Sequence, residues 1–164
     1  MMQGDADART IRYGVAEIDQ IGLWLAEYLR PGQAIGLNGS LGVGKTSLVR
    51  AILFGLGYSG EVPSPSYALV QPYDPPALRY PVLHIDLYRV EHPDEIAELG
   101  LDDAVRDALL LIEWPDRLPN MQGQNKQGGI ATAQLPHIHL DFDGADQRIL
   151  TLDRHEFWNA LYAD

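Results

Sequence analysis

Gly39-Ser40-Leu41-Gly42-Val43-Gly44-Lys45-Thr46 is the stretch on which the fold turns. It fits G-x-x-x-x-G-K-[ST] at every fixed position. Before it lies a short apolar segment, 33–38, with Ala34, Ile35 and Leu37. After it, residues 45–56 carry Leu48, Ile52 and Leu56 on one helical face, with Gly57 as a C-terminal cap. Strand, glycine-rich turn and helix in that order make a phosphate-binding loop (P-loop). Glycines let the chain wrap tightly, so that successive N–H groups point inward at phosphate oxygens. The helix N-terminus adds the positive end of its dipole. Lys45 should reach the outer phosphates and the Thr46 hydroxyl should ligate Mg²⁺. The expected nucleotide-binding set is therefore Gly39, Ser40, Leu41, Gly42, Val43, Gly44, Lys45, Thr46 and Ser47. The bland rival is an ordinary glycine-rich turn followed by an exposed lysine, and the flanking strand and helix speak against it.

Working outward, residues 10–15 alternate and predict a strand. Residues 17–29 place Ile18, Ile21, Leu25 and Leu29 on one helical face, and Pro31-Gly32 stops that helix. Residues 67–70 and 80–88 predict further strands. His92-Pro93-Asp94-Glu95 opens a short helix. The unbroken apolar run 108–114 predicts a strand covered on both faces. Residues 138–142 and 148–152 form a hairpin about Asp143-Gly144, and 154–162 predicts a terminal helix. The fold class that follows is α/β: a three-layer P-loop domain with a mainly parallel, mixed sheet and a C-terminal antiparallel edge hairpin. One domain spans 1–164, with 1–9 frayed and 119–136 a polar surface loop.

A P-loop needs a second acid on a neighbouring strand to hold or orient the metal shell. Glu113 ends the run Leu109-Leu110-Leu111-Ile112, and Asp86 lies in Leu83-His84-Ile85-Asp86-Leu87. An acid ending a buried strand is costly to desolvate without a cation or donor beside it. The alternative is a strand-end acid open to water. Asn125-Lys126-Gln127-Gly128 begins like the guanine signature N-K-x-D but lacks the acid, which favours ATP.

Composition narrows the partners. The chain has no cysteine, so thiol chemistry and disulfides are excluded; a reducing cytoplasm is compatible with this, and a cytoplasmic location is the expectation. Twelve basic against 23 acidic residues leave −11, which argues against a free-standing nucleic-acid binder. No apolar run approaches the ~20 residues of a membrane span, and the polar start Met1-Met2-Gln3-Gly4-Asp5 does not resemble a signal peptide.

Four stretches in order carry a family resemblance. They are the P-loop, Val62-Pro63-Ser64-Pro65-Ser66-Tyr67, Asp86-Leu87-Tyr88-Arg89 and Glu113-Trp114-Pro115. Together they resemble the TsaE (YjeE-like) ATPases of tRNA threonylcarbamoyladenosine modification. The resemblance implies a small Mg²⁺-dependent ATPase working with TsaD and TsaB. In that family TsaD transfers the threonylcarbamoyl group to adenosine 37 of tRNA, and TsaE drives or resets the complex. By position, Lys45 is similar to the family's phosphate-contacting lysine, Thr46 and Glu113 to its Mg²⁺ ligands, and Asp86 to the acid that orients the attacking water. Ser64, Pro65, Ser66 and Tyr67 resemble its switch-like loop, and Arg148 resembles a basic residue near the nucleotide. Ser40 stands where the family has an acid, Ser66 where it has threonine, and Ile18 where a threonine lies near the adenine.

Other residues have competing readings. Arg89 could neutralise charge in phosphoryl transfer or face solvent or a partner. His137 and His139 share one strand face as a metal pair or as hydrogen-bonded side chains. His84 alternates with core residues and reads as structural, Trp114 as packing, although the family resemblance places it beside the site, and Trp24 as an exposed contact. Two rival functions stay open: a small-molecule kinase, for which 119–136 with its lone base Lys126 makes a poor lid, and a nucleotide-dependent interaction module that needs no hydrolysis.

Overall fold

The run Leu109-Leu110-Leu111-Ile112 forms the centre of the molecule. In the computed structural model, which describes residues 9–65, 67–119 and 135–162, it becomes β5 (Leu109–Glu113), buried along its whole length. Successive side chains of a strand point to opposite faces. Leu109 and Leu111 accordingly join one apolar cluster with Leu48 and Ile52, while Leu110 and Ile112 join another with Ile96 and Leu101. A strand covered on both faces suits a parallel sheet. β2 (Ala34–Asn38) and β4 (Val82–Asp86) flank β5 in parallel.

Among the described residues seven strands form one sheet, ordered β1-β7-β6-β2-β5-β4-β3. Its centre, β6-β2-β5-β4, is parallel, and both flanks are antiparallel. The expected hairpin is β6 (His137–Phe142) and β7 (Gln147–Leu152). It does not hold the sheet edge: β1 (Arg9–Gly14) pairs antiparallel with β7 from Arg9↔Leu152 to Gly14↔Gln147. An open β7 would leave a row of unpaired backbone groups, and β1 covers it. Arg9 is therefore part of a strand rather than of a frayed start, and residues 1–8 lie outside the described residues.

The strand expected at 67–70 falls instead at β3 (Val70–Tyr73), the opposite edge. Pro72 is tolerated there because an edge strand can spare one N–H, and Leu69 turns the chain with φ 60°. The terminal segment is a 3₁₀ helix over Glu156–Tyr162 rather than an α-helix. Its buried Trp158 and Leu161 are three apart, the spacing that eclipses in a 3₁₀ turn. Of the loop expected at 119–136, residues 120–134 lie outside the described residues.

α1 (Ile18–Tyr28) and α2 (Lys45–Gly55) pack in backbone contact. A Cβ on Gly22 would stand 2.3 Å from the Ala51 carbonyl carbon. This close packing fixes α2, whose first residues are Lys45 and Thr46. Two short helices, α3 (Pro93–Glu98) and α4 (Leu101–Ala104), cover the other face. No helix among the described residues is long and apolar enough to cross a membrane.

Candidate functional site

The loop between β2 and α2 brings the site together. Gly44, which caps α2, has φ 118°, a region that a side chain disfavours. Gly39, with φ 144°, leaves no room for a Cβ, which would meet the Leu140 carbonyl oxygen at 2.5 Å. Lys45 follows at the first helical position, 5% exposed. Its Nζ donates to the carbonyls of Gly39 at 2.6 Å and Ser40 at 3.0 Å and lies 4.2 Å from the centre of the Trp114 ring. Burial pushes the Lys45 ammonium below its usual pKa, while Glu113, Asp86 and Asp116 act against that shift.

The two acids meet through sheet register. Parallel pairing sets Asp86 directly beside Glu113 at the carboxyl ends of β4 and β5, where ligands of open α/β sheets bind. Oε1 of Glu113 accepts a hydrogen bond from Thr46 Oγ1 at 2.7 Å and another from His84 Nε2 at 2.7 Å. Oδ1 of Asp86 accepts from the Tyr88 N–H at 3.0 Å. Burial raises the pKa of Asp86; the Tyr88 N–H opposes the rise and Glu113 adds to it. Both acids are buried, so the water-exposed reading of each fails.

A cleft of about 230 Å³ collects Lys45, Thr46, Ser64, Asp86, Glu113 and Trp114 under the loop. A second cleft, of about 240 Å³, opens on the other side of the same loop and shares Gly42, Gly44 and Ser47 with the first. Tyr13, Ile18, Asp19 and Arg148 line it. Arg148 Nε donates to the Val43 carbonyl at 3.0 Å, and its guanidinium sits 4.5 Å from the Phe142 ring centre. The side chain thus braces the loop from β7.

The remaining expectations divide. Ser64 lines the first cleft, and Pro65 is buried with its carbonyl accepting the Leu69 N–H at 2.8 Å. Ser66 lies outside the described residues. Tyr67 is 88% exposed, and Arg89 stacks 4.6 Å from its ring centre rather than entering the cleft. Nδ1 of His137 takes a hydrogen bond from Asn38 Nδ2 at 2.9 Å. Among the described residues no three His, Asp or Glu side chains gather as a metal cage. The Thr46–Glu113 pair supplies hard oxygens, and Mg²⁺ binds few protein ligands, keeping water and phosphate for the rest; the residues present fit that ion. Trp24 is half-buried against the main core, not an outward contact; its neighbour Leu23 is exposed.

Trp114, which the family resemblance places beside the site, lies against Lys45. His84, which the sequence marks as structural only, holds Glu113. The signal for His84 was present: two positions before Asp86 on one strand means the same face.

Residues 14–148 match the family model described as "Threonylcarbamoyl adenosine biosynthesis protein TsaE". The tRNA threonylcarbamoyladenosine biosynthesis protein TsaE of Rickettsia bellii (strain RML369-C) is 36% identical over 70% of this chain and 79% of its own. Its counterpart in Rickettsia prowazekii (strain Madrid E) is 37% identical over 80% and 85%. The crystal structure of Bacillus subtilus YdiB superposes with a TM-score of 0.67 at 22% identity, covering 94% of this chain and 93% of that one, a likeness of fold. On the family match and these relatives, the chain belongs to the TsaE family of threonylcarbamoyl adenosine biosynthesis proteins, which serves tRNA modification.

Proposed function

We propose that the chain is an Mg²⁺-dependent ATPase whose turnover, in a cytoplasmic complex with TsaD and TsaB, supports threonylcarbamoylation of tRNA. One observation carries the reading: a buried lysine, a hydroxyl–carboxylate pair and a second strand-end acid line a single cleft beneath a glycine loop. The loop N–H groups and the α2 N-terminus receive the phosphates. Lys45, released from the Gly39 and Ser40 carbonyls, turns its ammonium to the outer phosphates. Thr46 and Glu113 would hold Mg²⁺, which would supply positive charge against the phosphates. Asp86 orients the attacking water, and its raised pKa makes it a better proton acceptor than an ordinary aspartate. The second cleft takes the base and ribose, with Ile18 as an apolar wall and Arg148 holding the loop's far side. The segment Ser64, Pro65, Ser66 and Tyr67 acts as the switch-like loop that reports nucleotide state to partners. With −11 net charge, this chain leaves the tRNA to those partners.

The test is phosphate release from Mg·ATP by the chain alone and with TsaD and TsaB, with no other acceptor added. Partner-stimulated release, lost in Lys45→Ala, is expected. Phosphate appearing only when a small-molecule acceptor is supplied would make the chain a kinase. Modification that persists with hydrolysis-dead Asp86→Asn would make it a binding module.

A further inference from the structure

His84 is fully buried, and the mechanism above leaves it without a task. It shares its face of β4 with Val82 and Asp86, and its cross-strand neighbour on β5 is Leu111. An apolar side chain would suit those surroundings. An imidazole is costly there, because a buried polar group must be hydrogen-bonded to offset its lost water. Only one of its nitrogens is: Nε2 lies 2.7 Å from Glu113 Oε1, while Nδ1 has no partner among the described residues. A carboxylate only accepts, so Nε2 carries the hydrogen and donates. The ring thus leaves one nitrogen orphaned while spending the other on Glu113.

Thr46 donates to the same Oε1. Its hydroxyl oxygen is the atom that a cation would claim, so that contact is part of the cation site itself. The His84 contact involves no atom of the loop and remains. We propose that His84 is a positioning residue for divalent-cation binding: its Nε2–H anchors the Glu113 carboxylate at the end of β5, aimed at the Thr46 hydroxyl. Partners that orient a metal ligand in this way are worth about 10–100-fold in metal affinity. The inference rests on the reading of Glu113 as a cation ligand.

The experiment measures binding of a fluorescent ADP analogue to the full chain across a Mg²⁺ titration, with folding checked by thermal denaturation. His84→Leu, which keeps the volume and removes the donor, is expected to need roughly 10–100-fold more Mg²⁺, with affinity in the metal chelator EDTA unchanged. His84→Gln puts an amide N–H near the place of Nε2 and should recover most of the loss. In a Glu113→Gln background neither change should alter the Mg²⁺ response. A wild-type chain whose affinity ignores Mg²⁺ defeats the parent reading and this one with it. A wild-type Mg²⁺ response that survives intact in folded His84→Leu overturns this proposal alone, as does an equal loss with and without Mg²⁺. Should His84→Leu not fold, His84→Asn, whose amide falls near Nδ1, replaces it. His84→Gln must then outperform His84→Asn in Mg²⁺ response, and equality or the reverse order overturns the proposal.

Discussion

Glu113→Ala and Glu113→Gln separate what this carboxylate does for the fold from what it does for a cation. Glu113 is 3% exposed and accepts two hydrogen bonds at 2.7 Å, from Thr46 and His84. Alanine deletes the acceptor. The His84 N–H is then sealed away from water with nothing to bond, at a cost of about 1–3 kcal/mol. Thr46 is only half-buried, so its hydroxyl turns to solvent and adds little. The lost charge also removes a repulsion that contributes to the raised pKa of Asp86, an opposing gain. The net expectation is a destabilisation of about 1–2 kcal/mol, or a Tm lower by roughly 2–8 °C at ~2–4 °C per kcal/mol. Glutamine keeps an acceptor oxygen on a side chain of the same length, so its stability should stay within about 0.5 kcal/mol of the parent. Both variants should lose the Mg²⁺-dependent part of nucleotide affinity, because an amide oxygen is a poor substitute for a carboxylate at a hard cation. Urea unfolding gives the first quantity, and nucleotide titration with and without Mg²⁺ gives the second. Glu113→Gln with an undiminished Mg²⁺ response would refute the ligand role. Glu113→Ala as stable as the parent would refute the hydrogen-bond reasoning.

Lys45→Met should abolish nucleotide binding in a titration while leaving unfolding free energy at neutral pH equal or higher. Burial lowers the Lys45 pKa below 10.5, so the unfolded chain holds the proton more tightly. The parent's stability should therefore rise with pH between the folded value and 10.5, a slope that urea denaturation would find missing in the variant. Asp86→Asn should stop turnover yet stabilise the fold. Its folded pKa lies above 3.8, so the folded state binds the extra proton and stability falls as pH rises through that window, fully so above the folded value. Asparagine removes the fall while keeping an oxygen for the Tyr88 N–H; a variant less stable than the parent at pH 7 would count against an acid whose pKa is raised by burial. Gly22→Ala gains about 1 kcal/mol of helix propensity. It should nonetheless lose stability, because its Cβ would stand 2.3 Å from the Ala51 carbonyl carbon and 2.5 Å from its oxygen, backbone that cannot rotate aside. Overpacking of this kind costs about 1–3 kcal/mol or more. Since α2 begins at Lys45, nucleotide affinity should fall with it; an unchanged melting temperature would mean that the helices separate freely.

What could be read from the residues, and what could not, follows from how far apart the deciding atoms lie along the chain. The P-loop, α2 and β5 are local: glycine spacing, an apolar face and an unbroken apolar run each lie within a dozen residues. The edge strands were harder, because burial no longer writes a strong period. Pro72 reads as a turn residue until the edge position of β3 excuses its missing N–H, and nothing in 9–14 says that β7 is its partner. Arg148 shows the same limit: its bond to Val43 exists because β7 sits beyond β6, beside the loop. His84 is the sharpest case. Alternation along β4 puts it on the face of Asp86, and so far the sequence suffices. Its contact with Glu113, 29 residues on, depends on β4 and β5 being parallel neighbours with Asp86 opposite Glu113. A slip of one residue would turn the whole set to the other face. The apolar pattern of the two strands therefore does more than fill the core: by fixing that register, it sets which donor a buried carboxylate meets.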